Sequence, residues 1–312
     1  MPASATHRLD VVGLGYCSWD YLGVLDQIPE FDAPTVSLSD FAISGGGPVS
    51  TALVTLARLG ARTGYIGAIG DDEPGVNLKH AYGQEGIDIW RLRVQPGARS
   101  PVCMVLVQTH TGRRSILCHR GSFKEVELDA EDRAYITAAR FLHLDGHHMA
   151  AAITAAQWAR EAGGTVVFDA NRPRPRLDEL LPRVDVLITN ASFPPAYTGE
   201  QDLGKAARRF MSMGIKLVVT TLSEQGCVVF TSEGAWPVPG FVVPVVDTTG
   251  AGDAFHGAFI YGLLRDWDLH HTATFANAVA ALNCTALGGR AGLPRLPQVE
   301  AFLRQRNQVL PC

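Results

Sequence analysis

The chain lacks any run of apolar residues long enough to span a bilayer, any Cys-x-x-Cys pair, any Gly-x-x-x-x-Gly-Lys-[Ser/Thr] loop and any excess of basic residues. Each absence closes off a class of function. Without a span, the protein is not expected in a membrane. Met1-Pro2-Ala3-Ser4 shows no basic segment followed by an apolar one, so a cytoplasmic location is expected. Six cysteines (Cys17, Cys103, Cys118, Cys227, Cys284, Cys312) are scattered, which argues against zinc or dithiol chemistry and predicts buried or idle thiols. A formal net charge of -4 argues against nucleic acid as the main partner. The missing Walker loop means that any phosphates must be cradled by another device. Gly13-Leu14-Gly15 begins like a dinucleotide fingerprint, but Ser18 stands at the third glycine and Trp19-Asp20-Tyr21-Leu22 continues as strand. No repeat, low-complexity tract or long linker divides the 312 residues, so residues 1–312 are read as one domain.

What is present is an α/β rhythm. Apolar runs at 9–13, 62–69, 87–94, 141–145, 165–169, 184–189 and 216–221 read as strands. Helical patterns follow at 48–60, 73–83, 150–162, 203–213, 251–265, 272–285 and 297–304. Strands alternating with helices imply a mostly parallel sheet between helical layers, a three-layer α/β/α body. Two stretches break the rhythm. Residues 34–44 alternate apolar and polar, and 102–107 with 115–118 flank a polar tip in a hairpin pattern. Segments of about 16–44 and 98–121 are therefore expected to form a small separate β-sheet, a lid. Polar residues gather just past strand ends, at Asp145, Asp169, Asn171, Asn190 and Thr221, the edge where ligands of open α/β sheets bind.

The densest motif is Asp247-Thr248-Thr249-Gly250-Ala251-Gly252-Asp253-Ala254-Phe255. The apolar run at 241–246 reads as a buried strand entering it, and a helix leaves it. Small residues at a helix start let backbone amides surround an anion, and the helix dipole adds positive potential, so phosphate is the expected guest. A carboxylate there repels phosphate unless it has a task, and the natural one for Asp253 is to accept a proton from an attacking hydroxyl. A second glycine-rich helix start, Gly45-Gly46-Gly47-Pro48, permits close approach of a ligand to backbone. Asp20, just past the first strand, is placed to grip hydroxyl groups.

Together these features resemble the ribokinase-like (PfkB) family of carbohydrate kinases over essentially the whole length. Asp247 to Phe255 matches its C-terminal signature, and Gly46-Gly47-Pro48…Ala57-Arg58-Leu59-Gly60 its N-terminal one, with Thr51 where many members have asparagine. In motif detail, with Cys284-Thr285…Gly288-Gly289-Arg290-Ala291-Gly292-Leu293-Pro294, the chain looks closest to the sulfofructose kinase branch, although His147 stands where an arginine for a sulfonate is expected.

The resemblance implies a ribokinase-like fold and transfer of the γ-phosphoryl group of ATP to a hydroxyl of a sugar or sugar derivative, ketose or pentose. Asp253 is implied as general base, with the amides of Gly250, Ala251 and Gly252 as the anion hole. Asp20, Gly46, Gly47 and Thr51 are implied to hold the sugar. Asn190, Thr221, Ser223 and Gly226 would line the ATP side, with Asn277 near adenine. Asp247 and Thr249, with backbone of 286–292, match a monovalent-cation site of the K+ type. Mg2+ would accompany ATP. The family's two glutamates after the strand ending near 190 are absent from Asn190-Ala191-Ser192-Phe193, which leaves Asp169 and Asn190 to organise that metal. An anionic sugar would need cations at its far end, for which Arg99, Arg120 and His147 are candidates, while Arg172, Arg174 and Arg176 read as a solvated turn. A nucleoside kinase, with Tyr16 or Trp19 as the aromatic surface, and a catalytically weak sugar- or nucleotide-binding protein are the alternatives. A homodimer through the lid is expected.

Overall fold

The computed structural model describes residues 9–311. Met1-Pro2-Ala3-Ser4 and Cys312 lie outside the described residues. Thirteen strands are present among them: β1 (Val11–Leu14), β2 (Ser18–Leu25), β3 (Asp40–Gly46), β4 (Thr63–Gly70), β5 (Leu92–Gln95), β6 (Val102–Gln108), β7 (Arg114–His119), β8 (Phe141–Leu144), β9 (Thr165–Ala170), β10 (Val186–Asn190), β11 (Leu217–Thr221), β12 (Cys227–Thr231) and β13 (Gly234–Val238). Nine of them form one sheet in the order β13-β12-β11-β10-β9-β8-β1-β4-β5, parallel from β11 through β5 and antiparallel at the β11–β12–β13 edge. The parallel strands are buried on both faces, which is why they read as continuous apolar runs rather than alternating ones.

Two cores flank the sheet. One packs Phe255, Phe259 and Phe275 from the helices Ala251–Leu264 and Leu269–Asn283 against Tyr65, Ile188 and Val219. The other packs Phe168, Phe193 and Phe210 with the small side chains of the helix Met149–Glu161. Strand order reverses where β1 has β4 on one side and β8 on the other. Such a reversal leaves a crevice at the carboxyl ends of the strands.

The second sheet, in the order β3-β2-β6-β7, is the expected lid. Its register places Asp20 opposite Ser44 on one side and opposite Cys103 on the other, so these residues share the inward face. Cys103 pairs in turn with Cys118 on β7, and the two are joined by a disulfide. This pair departs from the expectation of mostly buried or idle thiols: residues directly opposite on antiparallel strands meet although 15 positions separate them in sequence. Cys17, Cys227 and Cys284 are free and buried.

Three strand expectations are also corrected. Residues 241–246 are not a buried strand. Pro244 removes a donor, no neighbouring strand pairs with the run, and Val242 is 94% exposed. Of 34–44, only Asp40–Gly46 is strand, because 34–39 loops outward and lays Leu38 over Gly23. Of 87–94, only Leu92–Gln95 pairs as strand, with Asp88 bridging Gly64. No helix among the described residues is long and apolar enough to cross a membrane.

Candidate functional site

The crevice begins where β1 ends. A Cβ on Gly15 would lie 2.4 Å from Asp145 Oδ2, so glycine is needed there for Asp145 to reach across from the end of β8. The N–H of Tyr16 donates to Asp145 Oδ2 at 2.8 Å, the N–H of His147 donates to Oδ1 at 3.0 Å, and His147 Nδ1 lies 3.1 Å from Oδ1. Burial works against the Asp145 charge, but His147 and the two N–H groups outweigh it and hold the carboxyl below the usual carboxylate range. Gly13 packs tightly beneath Val49 and Leu53. The Gly13-x-Gly15 pair thus serves packing and the placement of Asp145, not a dinucleotide.

The sugar edge predicted at 45–48 is built from β2, β3 and the helix Pro48–Leu59. Asp20 is 6% exposed, and burial pushes its pKa up to about 6. Its Oδ1 is buried without a hydrogen-bond partner. A buried acceptor left unmet is costly unless a ligand supplies a donor, and a sugar hydroxyl does so. A Cβ on Gly46 would lie 1.9 Å from Asp20 Oδ2, and Gly47 has φ 95° with the position of its Cβ blocked by the Tyr16 carbonyl at 2.5 Å. Behind β3 stands the buried Arg290, which donates to Gly46 O at 3.0 Å and from Nε to Thr51 Oγ1 at 3.3 Å. Thr51, 1% exposed, therefore meets the site through Arg290.

The predicted anion hole is the start of the helix Ala251–Leu264. Gly250 caps it at φ 73°, where a Cβ would collide with the Gly289 carbonyl at 2.6 Å. Among the described residues, the N–H groups of Gly250 and Gly252 meet no backbone acceptor, whereas that of Ala251 turns to Thr248 O at 3.4 Å. Gly252 is exposed, and nothing lies within 4 Å of where its Cβ would stand. Asp253 is half-buried. Burial, then Asp169 and Asp145, raise its pKa to about 7, against the pull of Arg114 and Arg290. Arg114 is a residue that sequence reasoning passed over as part of a polar hairpin tip. It donates to Thr248 Oγ1 at 2.7 Å, and Thr248 Oγ1 donates to Gly112 O at 3.0 Å, so the lid hairpin is latched to the anion-hole loop. The available signal was a glycine turn followed by a basic residue opening a strand.

On the other side, Asp169 at the end of β9 lies 3.5 Å from His256 Nε2, and burial, then Asp145, raise it to about 7. His256 and His143 are both lowered to about 3 by burial, so both rings are neutral. Thr221 donates to Thr189 O at 3.2 Å, and Ser223 and Gly226 shape the turn after β11 with φ 55° and 93°. Asn277 donates to Val238 O and Pro239 O, both at 3.1 Å, which fixes the helix Leu269–Asn283 to the end of β13. Asn190 Oδ1 already accepts from Ser192 N, Ser192 Oγ and Phe193 N, opening the helix Phe193–Thr198. Its oxygen is committed, so of the two residues expected to organise Mg2+ only Asp169 offers a free carboxylate. Among the described residues no group of three or more His, Cys, Asp or Glu is arranged to hold a metal ion. Asp247 is fully buried and accepts from Thr249 N at 2.8 Å, Thr249 Oγ1 at 2.7 Å and Gly288 N at 2.8 Å. No basic side chain among the described residues forms an ion pair with it, and the neighbouring Asn283 Oδ1 is buried without a donor. A buried carboxylate without a counter-charge beside an unmet carbonyl oxygen fits a monovalent cation.

Of the cations expected for an anionic sugar, Arg99 and Arg120 are exposed, and His147 is half-buried and stacked on Tyr16 with ring centroids 4.5 Å apart. The reading of 171–176 as a solvated turn is corrected at Arg174, which folds inward, half-buried, and contacts His147 Nε2 at 3.2 Å.

Residues 8–296 match the model of the pfkB family carbohydrate kinases. An ATP-dependent ribose-1-phosphate kinase of Halopiger xanaduensis is 32% identical over 298 residues, covering 95% of this chain and 98% of that one. An Arabidopsis thaliana ribokinase, solved with ribose and ATP, superposes with a TM-score of 0.83 at 23% identity over 95% and 99% of the two chains. A ribokinase II-like protein of E. coli, solved with ATP and Mg2+, superposes with a TM-score of 0.85 in its apo form and 0.84 in that complex, at 24% identity. The two structural likenesses speak for the fold. The narrower likeness to the sulfofructose kinase branch finds no support in these matches.

Proposed function

The chain belongs to the pfkB family of carbohydrate kinases, and from that premise we propose that it transfers the γ-phosphoryl group of ATP to a hydroxyl of a sugar or sugar derivative. The observation that carries this reading is the helix start at Gly250, where unpaired N–H groups and the Asp253 carboxylate share one open turn. Asp20, with its unmet oxygen, and the bare backbone of Gly46 and Gly47 hold the sugar. Asp253, raised to about 7, accepts the proton of the attacking hydroxyl and is well matched to that task near neutral pH. The N–H groups of Gly250 and Gly252, with Ala251 between them and Arg114 arriving from the lid, stabilise charge on the transferring phosphoryl oxygens. Asn190, Thr221, Ser223, Gly226 and Asn277 line the nucleotide side. Mg2+ bound with ATP would offset the charge of the triphosphate, and Asp247 and Thr249 would hold a K+-type cation. Closure of the lid excludes water, which protects ATP from hydrolysis.

The nucleoside alternative is weaker, because of its two candidate aromatic surfaces Tyr16 already stacks on His147 and Trp19 is half-buried against the main core. An ATP-consumption screen over free, phosphorylated and sulfonated sugars with nucleosides included tests the reaction. Asp253→Asn is expected to lower turnover on the order of 10²–10⁴-fold while nucleotide binding persists. Near-normal turnover in that variant would overturn Asp253 as the base, whereas no turnover of any acceptor by the wild type would favour a binding protein of the same fold.

A further inference from the structure

Arg174 is the one inward-turned arginine of the 171–176 loop, and the reaction as derived gives it no part. Its Cδ lies 3.3 Å from where a Gly146 Cβ would stand, as do atoms of Met149 and Phe168. No carboxylate among the described residues comes within 4.0 Å of its guanidinium, although Asp145 and Asp169 are near enough to favour its charge and burial works against it. Its one hydrogen-bond partner is His147 Nε2. With His147 Nδ1 against Asp145, the ring is placed to accept from Arg174, and most of the guanidinium's donors remain open. Beside it, the Tyr16 hydroxyl is buried without a partner. A guanidinium held out of water without a carboxylate is poorly compensated until an oxyanion arrives, and its planar fork suits phosphate-type groups.

We propose that Arg174, held in place by His147 and joined by the Tyr16 hydroxyl, forms a subsite for a phosphate-type oxyanion carried by the sugar substrate. Tyr16 leads directly into β2 and Asp20, which places the subsite on the sugar side of the crevice rather than beside Thr221 and Ser223. The phosphoryl acceptor is then an anionic sugar. This rests on the sugar kinase reading, and the test separates the two.

The probe is inorganic sulfate, titrated calorimetrically at constant ionic strength into the full chain, wild type and Arg174→Met. Arg174→Lys and the melting temperature of each variant control for folding. The expected result is sulfate binding weakened about tenfold or more by Arg174→Met and partly restored in Arg174→Lys. In steady-state assays with ribose, ribose 1-phosphate, fructose and fructose 6-phosphate, the phosphorylated sugars are preferred. Arg174→Met raises their KM about tenfold and leaves the KM for ATP unchanged. Sulfate binding unchanged in both affinity and number of sites in a folded Arg174→Met, beyond what the Gly250 helix start takes up, or a KM increase confined to ATP, overturns the proposal. If no sugar is phosphorylated, the kinase reading fails, and the Arg174-dependent part of sulfate binding still decides the subsite.

Discussion

Asp253 suits the proposed role of base because burial and the neighbouring Asp169 and Asp145 make its charge uncomfortable, and the same placement weakens the fold. Folding raises its pKa from 3.8 to about 7. Between those values the native state holds a proton that the unfolded chain releases. The stabilising effect of that proton is fully present below 3.8 and is lost as pH rises through about 7. Two outcomes follow. The rate kcat/KM rises with pH through about 7 as the base is freed, which a pH–rate profile checks. Asp253→Asn melts at a higher temperature than wild type above about pH 7, and the gain shrinks as the pH is lowered towards 4, which melting curves at several pH values check. At the sugar edge, Gly46→Ala drives a methyl group into the Asp20 carboxylate. The KM for sugar is expected to rise roughly 10²-fold with the KM for ATP unchanged, measured by varying each substrate in turn.

At the scale of elements, the hairpin of β6 and β7 does more than cover the crevice. Its tip brings Arg114 to Thr248, and its root carries the Cys103–Cys118 bond on the same face as Asp20. Arg114→Met should lower kcat roughly 10²-fold, by removing positive charge that only the closed lid delivers to the phosphoryl group. Stopped-flow or steady-state rates at saturating ATP check this. Alkylation of the unfolded chain without reductant, followed by peptide mass analysis, is expected to leave Cys103 and Cys118 linked and unmodified. The hairpin was legible in sequence because a polar, glycine-bearing tip separates two apolar runs. The disulfide was not, since its pairing depends on cross-strand register and no local spacing encodes register.

At the scale of the whole molecule, the lid's outward face remains apolar. Ile43, Tyr21, Met104 and Leu117 follow one another across β3, β2, β6 and β7, and Ile43, Met104, Leu117 and the nearby Phe41 are about half exposed. A face of this kind favours a second copy, and a homodimer through the lid is the proposed assembly. Light scattering at micromolar concentration checks it, with Met104→Glu expected to yield monomers. The division of labour between sequence and fold also shows at this scale. Strand–helix alternation, the two glycine-rich helix starts and the carboxylate at Asp253 are local patterns, and the chain's order alone determined them, because periodicity and turn chemistry act over a few residues. Contacts between distant segments were decided only by tertiary structure. Arg290 reaches 244 residues back to Gly46, Arg174 turns inward to His147, and the apolar run at 241–246 stays unpaired and partly exposed for want of a partner strand. In each case the outcome depends on which surfaces the completed sheet leaves facing one another, and that is a property of packing rather than of neighbouring residues.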